Sequence, residues 1–398
     1  MSARLTWPEC DVIILGGGPA GTAAAITLAR AGCSVVVLER SHYDRKRVGE
    51  TLPPAARSSL LHLGVWDQFI TAGHEPSPGI LSVWGEVELY EQHFIFNPHG
   101  HGWHLDRQSF DSMLAQAAER SGARVYCDAQ VTSCLRLAAD EGWQVEFTCG
   151  KQRSQLRPKF LIDATGRAAV MARRQGARRI KTDRLVGLVG LLTSRFSESE
   201  HDVRTLVEAS ADGWWYSALL PKHRLIAVYM SDADLLPRQS GLRLDFWQAQ
   251  LQQTIYTQAR LRNFNWQTVL FVVAANSSRL DCVCGHGWLA VGDAAMAFDP
   301  LSSQGLLQAL ASGIRAGETT VRFLAGEPTA MGKYTLKTDE IFKEYKRLHA
   351  VYYGREGRWP QSIFWQRRSV ATMRVSNPDC SSARIDSGTA APSSNLLS

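Results

Sequence analysis

Apolar residues along this chain fall into saturated runs, helical stripes and alternating stretches, and each pattern predicts an element. Val12–Leu15 is apolar throughout, as in a strand buried on both faces of a parallel sheet. From about Ala20 to Ala31 small residues suit a helix lying close on that sheet, Gly32 ends it, and Ser34–Leu38 forms the next strand: one βαβ unit. Asp106–Ser121 places Phe110, Leu114 and Ala117/Ala118 on one face and predicts a second helix. Arg124–Tyr126 follows as a strand, alternation around Leu135 and over Trp143–Phe147 predicts a small meander, and Lys159–Ile162 is a strand ending at Asp163.

Past Ile180 the pattern changes. Leu185–Leu192 and Leu225–Met230 read as strands flanking the aromatic segment Gly213–Pro221, and one helix is expected over about Leu242–Leu261. Trp288–Val291 returns to the parallel pattern, and Gly305–Leu324 predicts a long helix. After about Val375 the chain is rich in Ser, Ala, Asn, Asp and Pro, a composition that predicts disorder over 376–398.

Three motifs punctuate these elements. In Gly16-x-Gly18-x-x-Gly21, between strand and helix, the first glycine permits a tight turn and the second lets backbone approach a pyrophosphate. The third allows close helix packing. The helix start, with Pro19 and Ala20, offers N–H groups and a positive dipole end to phosphates. Glu39, followed by Arg40, ends the second strand and is placed to accept from ribose hydroxyls. Asp163-Ala-Thr-Gly-Arg167 is the second motif. The third, Gly292-Asp293 through Pro300 to Gly305 and Leu306, offers a carboxylate to ribityl hydroxyls and then a helix N-terminus to a flavin pyrimidine ring. An Asx-type turn before a helix is the ordinary reading of that last segment. Taken in this order, the three motifs favour FAD over NAD.

The set, with Val48-Gly49-Glu50-Thr51-Leu52-Pro53-Pro54 and Leu105-Asp-Arg107-x-x-Phe110-Asp111, resembles FAD-dependent oxidoreductases of the p-hydroxybenzoate-hydroxylase fold. The branch is the one that also contains tryptophan halogenases and geranylgeranyl reductases. Gly213-Trp-Trp-Tyr-Ser217 and the pattern from Tyr352 to Arg368 resemble flavoproteins that mature quinone-cofactor enzymes by oxygenating a partner protein's tryptophan (the LodB, GoxB and QhpG type).

The resemblance implies an α/β fold: a Rossmann-like FAD/NAD(P)-binding domain over 9–75, 105–175 and 278–330, with an inserted β-sheet substrate domain over 76–104 and 176–277. A C-terminal helical segment, 331–375, follows. It implies that Arg107 touches the pyrophosphate or ribityl chain, that Gly49 and Glu50 lie beside the isoalloxazine, and that Val131 and Asp163 join the cofactor-binding set. Surface and capping roles are the ordinary readings of Arg107 and Glu50. Glu50, Trp215 and Tyr216 are the catalytic candidates, although most tryptophans simply pack cores.

The implied reaction is hydroxylation of an indole-type ring, free or in a partner protein, through a flavin C4a-hydroperoxide formed with O2. Halogenation and flavin-dependent double-bond reduction are the alternatives. Ala164 stands where self-sufficient NADPH hydroxylases have glycine, so electrons are expected from NAD(P)H or from an external reduced flavin or separate reductase. No lysine lies around Ser77–Gly85, where a halogenase would need one to handle hypohalous acid.

Composition changes this picture little. The 398 residues carry a net charge of +6, with no basic run resembling a nucleic-acid arm. Arg173-Arg174, Arg178-Arg179 and Lys181 form a basic segment that suits an acidic partner or, more simply, a solvated face. Eight cysteines include Cys282-Val-Cys284, a redox pair or plain thiols, and lack zinc spacing; nor do His99, His101 and His104 fit a metal site. No signal peptide or membrane span is expected, and a cytoplasmic setting follows.

Overall fold

The computed structural model describes residues 9–45, 47–137, 142–194, 201–266 and 270–375. The tail expected to be disordered, 376–398, lies outside the described residues. The chain forms two compact units. The first comprises residues 1–75, 103–184 and 275–342, and the second residues 76–102, 185–274 and 343–398. The helical segment 331–375 is thus divided at Phe342 between the units and does not stand by itself.

In the first unit, Glu9–Leu15 lies at the centre of a sheet ordered Cys284–Gly285, Trp288–Ala290, Gln152–Asp163, Glu9–Leu15, Val35–Leu38, Arg124–Tyr126. All neighbours after the first pair are parallel. Val12–Leu15 and Val35–Leu38 are buried throughout, as their unbroken apolar runs require. The helix Pro19–Arg30 crosses back over the sheet and packs on the long helix Gly305–Leu324. Their approach is set by glycine: a Cβ at Gly313 would lie 2.3 Å from the Ala20 carbonyl oxygen, and one at Gly317 would lie 2.7 Å from the Thr27 side chain. The meander is Ala129–Arg136, Trp143–Cys149 and the start of Gln152–Asp163.

The second unit is built on a sheet ordered Phe264–Trp266, Leu185–Ser194, Arg224–Asp232, Gly213–Leu220, Thr205–Ser210, Gly79–Val83, Tyr90–His93. Side chains on a strand alternate between faces, so Trp214 and Trp215 part company. Trp215 joins Trp247, Tyr229, Leu188 and Phe264 beneath the helix Arg243–Leu251. Trp214 donates its indole N–H to the Tyr353 hydroxyl (2.9 Å), within a cluster of Trp84, Tyr353, Phe364 and Trp365. The single helix expected over Leu242–Leu261 is in fact two, Arg243–Leu251 and Tyr256–Leu261. Buried Glu208 accepts the N–H groups of Ile255, Tyr256 and Thr257 and so starts the second one afresh.

Among the described residues no helix is long and apolar enough to cross a membrane. The described cysteines, Cys282 and Cys284 included, are free thiols.

Candidate dinucleotide site

The carboxyl ends of the parallel strands are in register: Leu15 pairs with Leu38 on one side and Asp163 on the other, and Asp163 pairs with Ala290. The turns beyond them, at Gly16, Glu39, Ala164 and Gly292, therefore line one edge of the sheet, where open α/β sheets bind ligands.

The three glycines of the first turn do different work. Gly16 has φ 106°, and a Cβ there would sit 2.4 Å from the Ala164 carbonyl oxygen; a Cβ on Gly21 would sit 2.0 Å from that of Gly16. Backbone contacts fix both. At Gly18, the N-cap of the first helix, a Cβ would meet nothing closer than the Arg47 guanidinium at 3.5 Å. Its side-chain position is open, beside the orphan N–H groups and positive end of a helix. A pyrophosphate fits such a cradle, and with it FAD.

Glu39 is buried and braced. Its Oε2 accepts the Gly17 N–H (2.7 Å), and its Oε1 accepts the Ser41 N–H (3.1 Å) and hydroxyl (2.6 Å) and one Arg47 N–H (3.1 Å). A carboxylate has about four acceptor positions, and these four bonds, all from the chain itself, fix its orientation. Tyr43 donates its hydroxyl to the Gly17 carbonyl (3.1 Å). Arg40 beside it is exposed, and Val131 is half-buried opposite Phe147.

Asp163 is bound within its own turn. Its Oδ1 accepts the Thr165 N–H (3.0 Å) and hydroxyl (2.6 Å), its Oδ2 accepts the Ala172 N–H (2.8 Å), and it is fully buried. Three of its acceptor positions are taken by the chain's own turn, so Asp163 positions Ala164 against Gly16.

Arg107 likewise works on the protein. It forms a two-point ion pair with Asp111 (3.2 and 3.1 Å) and donates to the carbonyls of Val48 (3.1 Å) and Gly49 (2.9 Å). Burial opposes its charge, but Asp111 beside it outweighs that and raises its pKa. It clamps the turn at Gly49, where φ is 101°. That turn presents buried Glu50, whose Oε2 accepts the Gly49 N–H (3.0 Å). Glu50 is held further as its carbonyl accepts the Leu105 N–H (2.8 Å).

At the third motif, a Cβ on Gly292 would lie 2.8 Å from that of Ala20, and its N–H donates to the Ser312 hydroxyl (3.0 Å). Asp293 follows, its side chain 41% exposed and 3.5 Å from Arg167. Arg167 donates to the carbonyls of Asn276 (2.6 Å) and Phe298 (3.3 Å), and Arg179 to that of Ala294 (2.6 Å). Asp299 caps Leu301, Pro300 is exposed, and the long helix starts at exposed Gly305 with Leu306 buried beneath it.

Sequence reasoning missed Arg47, which touches Glu39 and lies 3.3 Å from Asp111, so that one guanidinium joins Glu39 to the Arg107–Asp111 clamp. The basic run Arg45-Lys46-Arg47 ahead of Val48-Gly49-Glu50 was the available signal. The catalytic candidates of the second unit fare differently. Trp215 is fully buried against Trp247, at 4.5 Å between rings, so no face of its indole is open to a reacting group. Tyr216 is half-buried.

The sequence pattern of the FAD-binding-domain family matches residues 9–317. The FAD-dependent oxidoreductase LodB of Marinomonas mediterranea is 29% identical over 365 residues, covering 90% of this chain and 96% of its own. The flavin-dependent halogenase CmlS superposes with a TM-score of 0.81 at 23% identity, over 94% of this chain and 70% of that one. The peptidyl tryptophan dihydroxylase QhpG superposes with a TM-score of 0.73 at 26% identity, over 90% of this chain and 78% of that one.

Proposed function

The chain belongs to the FAD-binding-domain family, and from that premise we propose that it is a monooxygenase that hydroxylates a tryptophan side chain carried by a partner protein. The observation that carries this reading against halogenation is a missing cation. From Pro76 to Leu105, across the strand Gly79–Val83, there is neither lysine nor arginine. A halogenase of this branch needs a lysine in that region. QhpG, a peptidyl tryptophan dihydroxylase, supports the choice of substrate, and LodB, matched over nearly its whole length, supports a FAD-dependent oxidoreductase.

Bound in this site, FAD would supply the electrons that activate O2 toward an electron-rich ring. One oxygen atom enters the ring and the other leaves as water, consuming two electrons and two protons from NAD(P)H or a separate flavin reductase. Ala164 in the middle motif favours the separate reductase. The protein's own share is to bind and orient. Gly18 leaves room for the pyrophosphate, a ribose hydroxyl would take over from Ser41 or Arg47 a position on Glu39, Arg167 holds Asp293 toward the ribityl chain, and Arg107 fixes the turn that presents Glu50. Tyr216 is the remaining aromatic candidate for lining the substrate side.

Flavin-loaded protein supplied with reductant and labelled O2 should place labelled oxygen on the indole of tryptophan-bearing peptides, read by mass spectrometry. Halogen incorporation from bromide, or reduction of a double bond without O2, would replace this reading with one of its alternatives.

A further inference from the structure

The β-sheet of the second unit ends, among the described residues, at the strand Tyr90–His93, which pairs only on its inner side with Gly79–Val83. An open strand edge is a template for another extended chain, and proteins commonly blunt it with lysine, proline or a covering segment. This edge carries neither lysine nor proline. It is bordered by apolar side chains that face water: Val87 and Tyr90 are exposed, Ile95 is 80% exposed and Phe96 94%.

Ile95 and Phe96 are ordered there. The Phe94 N–H donates to the Pro78 carbonyl (2.8 Å), and the Asn97 N–H to the Phe94 carbonyl (2.9 Å), closing a β-turn with these two side chains at its centre. Central turn positions ordinarily carry Gly, Pro, Asn, Asp or Ser; two large apolar residues gain nothing from the fold at this place.

The charge around them identifies the occupant. Residues 76–105 hold three glutamates, Glu86, Glu88 and Glu91, and no Lys or Arg, in a chain whose net charge is +6. Glu91 is paired with Arg204 (2.7 Å) and His93 (3.2 Å), while Glu86 and Glu88 are exposed beside Val87. A second copy of this chain would set these carboxylates against themselves, and an anionic membrane surface would be repelled. A basic extended segment would be attracted.

We propose that the edge strand Tyr90–His93, with Val87, Ile95, Phe96, Glu86 and Glu88, is a docking strip for an extended protein segment of alternating apolar and basic residues, added as a further strand of the sheet. Backbone pairing would supply affinity, the apolar and acidic side chains selectivity. The strip is independent of the reaction, since a reductase could present such a segment as readily as a tryptophan-bearing client.

The test titrates the flavin-loaded protein into a fluorescent peptide of alternating valine and lysine and follows anisotropy. The peptide should bind, and binding should weaken about ten-fold or more in Phe96→Asp and in Glu86→Lys/Glu88→Lys. These side chains are exposed, so the variants should keep the wild-type Tm. A peptide N-methylated at alternate residues, or with glutamate for lysine, should bind at least as much more weakly. No binding of the valine–lysine peptide, equal binding of either control peptide, or unchanged binding by the variants would overturn the proposal. So would a dimer in sedimentation that Phe96→Asp dissolves, or capture by phosphatidylcholine vesicles that it abolishes.

Discussion

At the scale of the residue, the site depends on an opening at Gly18 and on charges tied down around it. Gly18→Val would fill the one open Cβ position of the glycine turn with three carbons, while leaving its backbone contacts intact. The purified variant should be colourless and yet keep its secondary structure by circular dichroism. Stoichiometric flavin in it would put the pyrophosphate elsewhere.

His74 sets a second residue-scale expectation. It is buried against Phe69 and Phe110, accepts the Asp106 N–H (3.3 Å), and burial lowers its pKa to about 4. An unfolded histidine titrates near 6.5, so below that pH the unfolded chain binds a proton that the fold refuses. Stability is therefore full above about pH 6.5 and falls as pH drops toward 4. Between pH 6.5 and 5 the wild type should lose about 2 kcal/mol in urea titrations that His74→Asn retains.

Elements show which parts of the molecule were legible in its sequence. The βαβ start, the long helix and the order of the three motifs follow from local pattern, because saturated apolar runs and glycine spacing are local properties. The bonds of Asp163 were not legible, because its partners, Thr165 and Ala172, belong to a turn and a helix start that spacing alone does not reveal. The clamp of Arg107 was not legible because its partner carbonyls at Val48 and Gly49 lie 59 and 58 residues away. The Tyr352–Arg368 pattern, read as a mark of kinship, is in the structure a packing seam. Trp365 donates to the Ser210 carbonyl (3.0 Å), Arg358 pairs with buried Glu356 (2.6 Å), and Arg367 and Arg368 close on buried Asp232 (2.7 and 2.9 Å). Removing one partner of a buried ion pair strands the other's charge. Asp232→Asn should thus cost about 3 kcal/mol in urea unfolding, and free the helix Ile363–Val375 to limited proteolysis. A variant as resistant as the wild type would show that the aromatic contacts alone hold that helix.

At the scale of the whole molecule, each unit is stitched from three separate stretches, and the chain passes between the units five times before it ends. The central sheet of the first unit lacks a strand until residues 288–290 are made, and the second unit lacks the partners of Trp214 and Asp232 until residues 353 and 368. On a ribosome the glycine turn at residues 16–21 is made about 270 residues before Ala290 and Gly292, which complete its surroundings. Cofactor capture therefore waits on residues 290–292. Until then the sheet that holds the strands Val12–Leu15 and Val35–Leu38, apolar throughout, is short of the strand that residues 288–290 supply, so factors that shield apolar strands during translation should raise the yield of flavin-binding protein.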